Sequence, residues 1–270
     1  MTTSSPSRRV ALALALGAVL SVAGAIPPLR AAPAEVLRIA VEGEYPPFNQ
    51  TDKKGKLSGF DVDIANALCK ALDASCEFIK QRWDRIIPDL VDGKYDLVVS
   101  SLSITAERRK KIDFTSPYYV TPAKFVGRND EQLAATLDAL TGRKVGVQKA
   151  TTHESYLARR ASAGVEIVRY ETLPKAQADL TAGKIDLVFA DAIALSQGFL
   201  KTSQGKAFAF QGPDLRIGSG IGIGVRKGHT DLVQRLNRAL DEIRADGTYD
   251  KIALKYFDFS LSGTQTAATQ

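Results

Sequence analysis

One segment of this chain occurs twice, ninety residues apart. Leu90-Val91-Asp92-Gly93-Lys94-Tyr95-Asp96-Leu97-Val98-Val99 is echoed by Leu180-Thr181-Ala182-Gly183-Lys184-Ile185-Asp186-Leu187-Val188-Phe189, with Leu, Gly, Lys, Asp, Leu and Val in register. Each copy reads as a helix end, a glycine cap and a short apolar strand. Beyond the strand the copies part: the first ends in Ser100-Ser101 and leads to Arg108, the second ends in Asp191. Two similar α/β units that present different polar groups at their strand ends point to two lobes gripping one ligand from both sides.

The flanking sequence supports two such units. Leu37 to Val41 reads as a strand. Phe60, Ile64, Leu68 and Leu72 recur every four residues as one face of a helix, with Asp61 near its start. Cys76 to Ile79 is a short strand, a helix through Ile86, Ile87 and Leu90 ends near Gly93, and Leu97 to Val99 is the next strand. The same β-α-β-α-β order recurs: strand Val145 to Val147, a helix capped by Thr151 or Thr152, strand Val165 to Val168, helix Lys175 to Leu180, strand Leu187 to Phe189. That alternation implies parallel sheets. Ile217 to Val225 alternates glycine with apolar residues and reads as a strand crossing between lobes, not a nucleotide fingerprint, because it lacks the spacing and Val225-Arg226-Lys227-Gly228 continues the strand instead of turning into a helix. A helix from Asp231 to about Arg244 and a last helical turn from Ile252 to Tyr256 complete the chain, with 261–270 as a disordered polar tail.

Arg8 and Arg9 precede an apolar run from Val10 to about Ile26, followed by small residues. This order is that of a secretory signal peptide spanning 1–34, with cleavage between 25 and 34, and general secretion fits better than the twin-arginine route. The formal charge of +6 falls to +3 without that segment, because it holds Arg8, Arg9 and Arg30 and no acid, so charge gives little reason to expect a nucleic-acid partner. No internal apolar run approaches the roughly 20 residues of a membrane span. Cys69 and Cys76, close together in an exported chain, point to a disulfide. A metal site is the weaker alternative, since the only histidines are His153 and His229 and neither is near. No cofactor motif is present.

Ligands of parallel α/β sheets bind outside the carboxyl ends of the strands. Four such ends carry polar or aromatic groups: Glu42 to Tyr45, Ser100 to Ser103, Gln148 to His153, and Asp191. Ser100, Ser101 and Ser103 lead into a helix start, and Arg108 in its first turn offers a planar fork suited to a carboxylate. Asp191 suits a ligand ammonium. Glu42 beside Tyr45 suits an extended or cationic side chain, and Trp83, the single tryptophan, is a candidate wall.

These segments resemble the periplasmic amino-acid-binding proteins of ABC importers, solute-binding protein family 3, over about Leu37 to Phe259. The resemblance rests on Glu42-Gly43-Glu44-Tyr45-Pro46-Pro47-Phe48, Gly59-Phe60-Asp61-Val62-Asp63, Asp84-Arg85-Ile86-Ile87-Pro88, Ser100 to Arg108, Phe114-Thr115-Ser116-Pro117-Tyr118, Gly146-Val147-Gln148 with Thr151-Thr152-His153-Glu154, and Arg244-Ala245-Asp246-Gly247-Thr248-Tyr249. It implies the type II periplasmic binding fold: an α/β protein of two lobes, joined by two hinge strands and closing on a ligand in the cleft. Lobe 1 would comprise 35–120 plus 221–260 and lobe 2 121–220, with the hinge near Val120 to Pro122 and Ser219 to Ile221. It also implies Arg108 as the α-carboxylate clamp, helped by the backbone at Ser103 and Thr152. Asp191 with Ser101 would accept the α-ammonium. Tyr45 and Trp83 would be aromatic walls, and Cys69 and Cys76 match the family's disulfide positions.

The expected function is therefore that of a monomeric, periplasmic binding component that delivers a free amino acid to a membrane permease. Lysine/arginine/ornithine and histidine binders often carry an aspartate where Glu42 stands, so a basic ligand is expected. Glu42-Gly43, Trp83-Asp84 and His153 resemble opine binders instead, which leaves an opine or neutral polar amino acid as the alternative. A rival of another class is an enzyme resembling cyclohexadienyl dehydratase on the same fold. It would need a general acid or base, for which Glu42 and His153 are the candidates, but the Arg108 and Asp191 clamps favour a binder.

Overall fold

A computed structural model describes residues 1–3, 35–131, 133, 134, 138–161 and 164–261. The signal-peptide and cleavage expectations fall almost wholly on 4–34, outside the described residues, as does the tail from 262 onward. In chain order the elements are β1 (Glu35–Val41), β2 (Glu44–Tyr45), β3 (Asn49–Thr51), β4 (Leu57–Ser58), α1 (Phe60–Ala71), β5 (Ala74–Lys80), α2 (Ile86–Val91) and β6 (Leu97–Val98). There follow α3 (Ala106–Arg109), β7 (Ile112–Phe114), β8 (Ala123–Arg128), β9 (Lys144–Gln148), α4 (Thr152–Arg160), β10 (Glu166–Tyr170), α5 (Leu173–Thr181) and β11 (Leu187–Asp191). The chain continues through α6 (Ala192–Leu195), β12 (Phe208–Leu215), β13 (Gly224–Arg226), α7 (Thr230–Ala245) and α8 (Thr248–Ala253).

Two five-stranded sheets form two lobes. The first has the order β5-β1-β6-β13-β7 and the second β10-β9-β11-β8-β12. In each, the strands of the predicted β-α-β-α-β unit are parallel: β1 beside β5 and β6, β9 beside β10 and β11. Each sheet is then extended by antiparallel strands. β8 pairs β11 and β12, and β13, arriving after the second lobe is complete, inserts between β6 and β7. The sheets are thus mixed. β8 follows the first crossing between lobes and β13 the second, and the local alternation encodes neither pairing.

The helices follow their apolar spacing. α1 buries Phe60, Ile64, Ala65 and Leu68, and places Asp61 and Asp63 in its first turn, where the dipole favours acids. Gly59 before it has φ +122°, and a Cβ there would stand 2.4 Å from the Phe48 carbonyl oxygen, so glycine is required. α7 buries Leu236, Ala239, Leu240 and Ile243. One apolar cluster runs from Leu68 and Leu240 through Tyr118 and Tyr119 to Ile193, Leu195 and Phe199 of the second lobe. A disulfide joins Cys69 of α1 to Cys76 of β5.

Three expectations are corrected. Ile217 to Val225 is not one strand: Gly218 and Gly220 take φ of +79° and +98°, which break extended backbone, leaving β13 and isolated bridges from Ile221 to Ser103 and Tyr119. The last helix is α8, starting after Gly247 in the left-handed conformation, rather than a turn at Ile252 to Tyr256. Leu261, assigned to the polar tail, is buried in the core, as its apolar side chain favours.

Candidate functional site

The carboxyl ends of β1 and β6 meet those of β9 and β11 around a small cavity of about 20 Å³. Of the predicted site residues, Glu42, Tyr45, Trp83, Ser100, Ser101, Ser103, Gln148, Thr152, His153 and Asp191 line it. Thr151, Leu173, Phe189 and Ala190 complete the wall and were not foreseen. Leu173 opens α5, and Phe189 and Ala190 lie on a strand that is apolar on both faces, so no alternation announces which side meets the cavity.

Arg108 stands at the rim and lines two clefts outside the cavity. The Thr105 hydroxyl caps α3 by accepting from the Arg108 N–H at 3.2 Å, which fixes the direction of the side chain. Its guanidinium donates to the Ser103 carbonyl at 2.9 Å and lies 5.4 Å from the centre of the Trp83 ring. Among the described residues no carboxylate pairs with it. Burial lowers its pKa to about 10 against the opposing pull of Asp191.

Asp191 ends β11, is 6% exposed, and accepts a 2.8 Å hydrogen bond from the Tyr45 hydroxyl of the first lobe. His153 Nε2 approaches its other oxygen at 3.4 Å, with the imidazole edge-on to Phe189. Burial, with Asp191 adding to it, holds the Tyr45 hydroxyl protonated. Glu42, at the end of β1, is 3% exposed and accepts from the Gln148 amide across the cleft. Burial pushes its carboxyl up to about 8, the Gln148 hydrogen bond pulls it partly back, and Glu44 adds to the rise. Gln148 also donates to the Glu171 carbonyl at 3.1 Å, and the Glu42 N–H donates to the Ser100 hydroxyl at 2.9 Å.

Behind the wall Asp61 is fully buried and binds three donors: Asn49 at 2.8 Å, Ser101 at 3.0 Å and Tyr118 at 2.6 Å. Asn49 in turn accepts from the Gly43 N–H at 2.8 Å. The carboxylate of α1 thus ties together the loop after β1, the serine turn after β6 and the crossing at Tyr118. Asp61 was legible only as a helix-start acid. Ser101 needs that anchoring, because its backbone is left-handed at φ +49°. The corresponding turn after β9 holds Ala150 at φ +58°. There the Thr151 hydroxyl caps α4 by accepting from the Glu154 N–H at 3.1 Å, while Glu154 returns to the Ala150 N–H at 2.6 Å.

Further bonds span the cleft. The Ser103 and Thr152 hydroxyls are 3.3 Å apart, and the Trp83 indole donates to the Ala150 carbonyl at 3.1 Å. The lobes are therefore closed on each other.

Two α/β lobes linked by two crossings, with a polar cavity at facing strand ends, define the class of two-lobe periplasmic binding folds. The chain belongs to the bacterial extracellular solute-binding proteins, family 3, whose model matches residues 37–259. It is 44% identical over 233 residues to the L-arginine-binding protein of Pseudomonas aeruginosa, covering 84% of this chain and 90% of that one. It is 40% identical over 257 residues to the histidine-binding periplasmic protein of Escherichia coli, covering 93% and 98%. Among solved structures, an ancestral arginine-binding protein bound to arginine superposes with a TM-score of 0.77 at 37% identity, covering 82% of this chain and 98% of that one.

Proposed function

We propose that this protein captures a free basic L-amino acid (arginine, lysine, ornithine or histidine) in the periplasm and presents it to the membrane permease of an ABC importer. The observation that carries this is the pair of opposite charges at the cleft, Arg108 at the rim and Asp191 in the cavity wall. Arg108 is a partly buried cation with no acidic partner among the described residues, and Asp191 is a buried carboxylate on the other lobe. Together they complement an amino-acid zwitterion. The serine and threonine hydroxyls around Ser101, Ser103 and Thr152 supply the remaining polar contacts, and Tyr45 and Trp83 flank the side chain. Glu42, a buried acid whose side chain is held by the Gln148 amide, meets a cationic distal group. The names of the relatives agree with an arginine- or histidine-class ligand.

The lobes divide as 35–120 plus 221–260 and 121–220 and hinge near Val120 to Pro122 and Ser219 to Ile221. Segment 1–34 acts as the export signal, and the protein works as a monomer. It is a binder and not an enzyme, because Arg108 and Asp191 offer the two clamps that hold an intact amino acid. Titration calorimetry with arginine, lysine, ornithine, histidine and glutamine tests the proposal. Binding of at least one basic member is expected, and Arg108→Ala should weaken it by about 2 kcal/mol or more, the cost of leaving a desolvated carboxylate unpaired. No binding of any of them at about millimolar concentration, a range weaker than roughly −4 kcal/mol, would refute it.

A further inference from the structure

Four charged side chains outside the cavity close a ring over the cleft rim. Arg82 and Asp84 flank Trp83 on the first lobe, and Lys149 and Glu171 follow β9 and β10 on the second. Arg82 lies 2.8 Å from Asp84 and 3.5 Å from Glu171. Lys149 lies 3.1 Å from Asp84 and 2.7 Å from Glu171. Each cation thus touches both acids. Two sides of the ring, Arg82–Glu171 and Lys149–Asp84, span the cleft, and the other two stay within one lobe.

We propose that this ring is a salt-sensitive latch that sets how long the closed lobes stay closed, without touching the ligand. The argument rests on the closure mechanism just proposed. Opening severs only the two spanning pairs. Every charge keeps its partner within its own lobe, so no ion is orphaned and the latch releases reversibly. The ring also brackets Trp83, whose indole N–H reaches Ala150 beside Lys149, so the latch seats one wall of the cavity. Lys149 and Asp84 are both less than one-third exposed, whereas Arg82 and Glu171 face solvent more fully. Their attraction is therefore subject to screening. Hydrogen bonds from Lys149 and Arg82 outweigh burial and lower the Asp84 carboxyl, and Glu171 and then Asp84 raise Lys149.

Two measurements on the whole protein test this. Stopped-flow release of arginine should be roughly two- to fivefold faster in the Asp84→Asn/Lys149→Met variant than in the parent at low salt, the range expected for losing one partly exposed spanning ion pair. Parent release should accelerate between about 0.1 M and about 1 M salt, as the screening length falls from about 10 Å to about 3 Å, while the variant, in which only Arg82–Glu171 still spans the cleft, should respond less. Equal release rates with equal salt dependence would overturn the latch. If the parent binds no arginine, the ligand assignment has failed instead, and the latch is decided without ligand. Spin labels on the exposed positions Lys54→Cys and Lys206→Cys report lobe separation. The parent should hold a larger short-distance population at low than at high salt, and the variant a smaller one that salt changes less. Identical distance distributions in parent and variant would overturn it.

Discussion

At the residue scale, Glu42 carries the sharpest consequence. Its carboxyl is raised to about 8 by burial, so near neutral pH it is largely protonated inside the closed site. A cationic ligand end set against it favours the ionised form, and binding must then expel a proton. Calorimetry of arginine in buffers of different ionisation enthalpy should report about one proton released near pH 7 and much less near pH 9, where the group is already ionised. Glu42→Gln should abolish the release; a release that survives this substitution would remove Glu42 from the distal subsite. The sign for stability follows from the same shift. The unfolded chain titrates this group near about 4.3, so the folded state holds the extra proton between about pH 4 and pH 8. Its stabilising contribution is complete below that window and is lost as pH rises through it. The sequence marks Glu42 as a site acid because it ends the first strand. It cannot mark the proton, because the desolvation depends on burial by residues far away in the chain.

At the scale of elements, the caps and turns are local and were read correctly where the chemistry is local. Thr151 caps α4, Gly93 and Gly183 take positive φ after the two echoed helices, and α1 keeps the predicted face. β8 and β12 escaped notice because their pairing partners are brought by the crossing between lobes. One element makes a prediction of its own. Gly198, just after α6, passes so close to Pro46 of the first lobe that a Cβ would stand 2.5 Å from the Pro46 carbonyl oxygen. Gly198→Ala should hold the lobes slightly apart and weaken arginine binding roughly tenfold, a cost of the order of overpacking. Unchanged affinity by calorimetry would mean that this contact plays no part in closure.

At the scale of the whole molecule, a ligand moves the hinge only by binding the closed form better than the open one. The two lobes supply complementary halves of the site. Arg108, Glu42 and Tyr45 come with the first sheet, and Asp191, His153 and Gln148 with the second. In the proposed site neither half satisfies the ligand alone, so the ligand favours the closed form. The thermal unfolding midpoint should therefore rise with the concentration of a basic amino acid, by about 2.7 kcal/mol of stabilisation at a hundredfold excess over Kd. Arg108→Ala should flatten that concentration dependence while leaving the midpoint without ligand nearly unmoved. A full ligand-induced shift in the variant would place the carboxylate elsewhere.

By itself the sequence determined the two echoed α/β units, the parallel core of each sheet, the disulfide pair and most of the polar residues that line the cavity. Those features depend on periodicity, caps and strand ends, which are set by neighbours a few positions away. The tertiary structure alone decided the antiparallel completion of both sheets and the place of Arg108 at the rim rather than in the wall. It also decided the role of Asp61 as a buried tie and the ionic ring around Trp83. Most of these join residues far apart in the chain, such as Arg82 and Glu171, 89 positions apart. Such contacts arise when two surfaces meet, and their energies depend on the desolvation that the meeting creates.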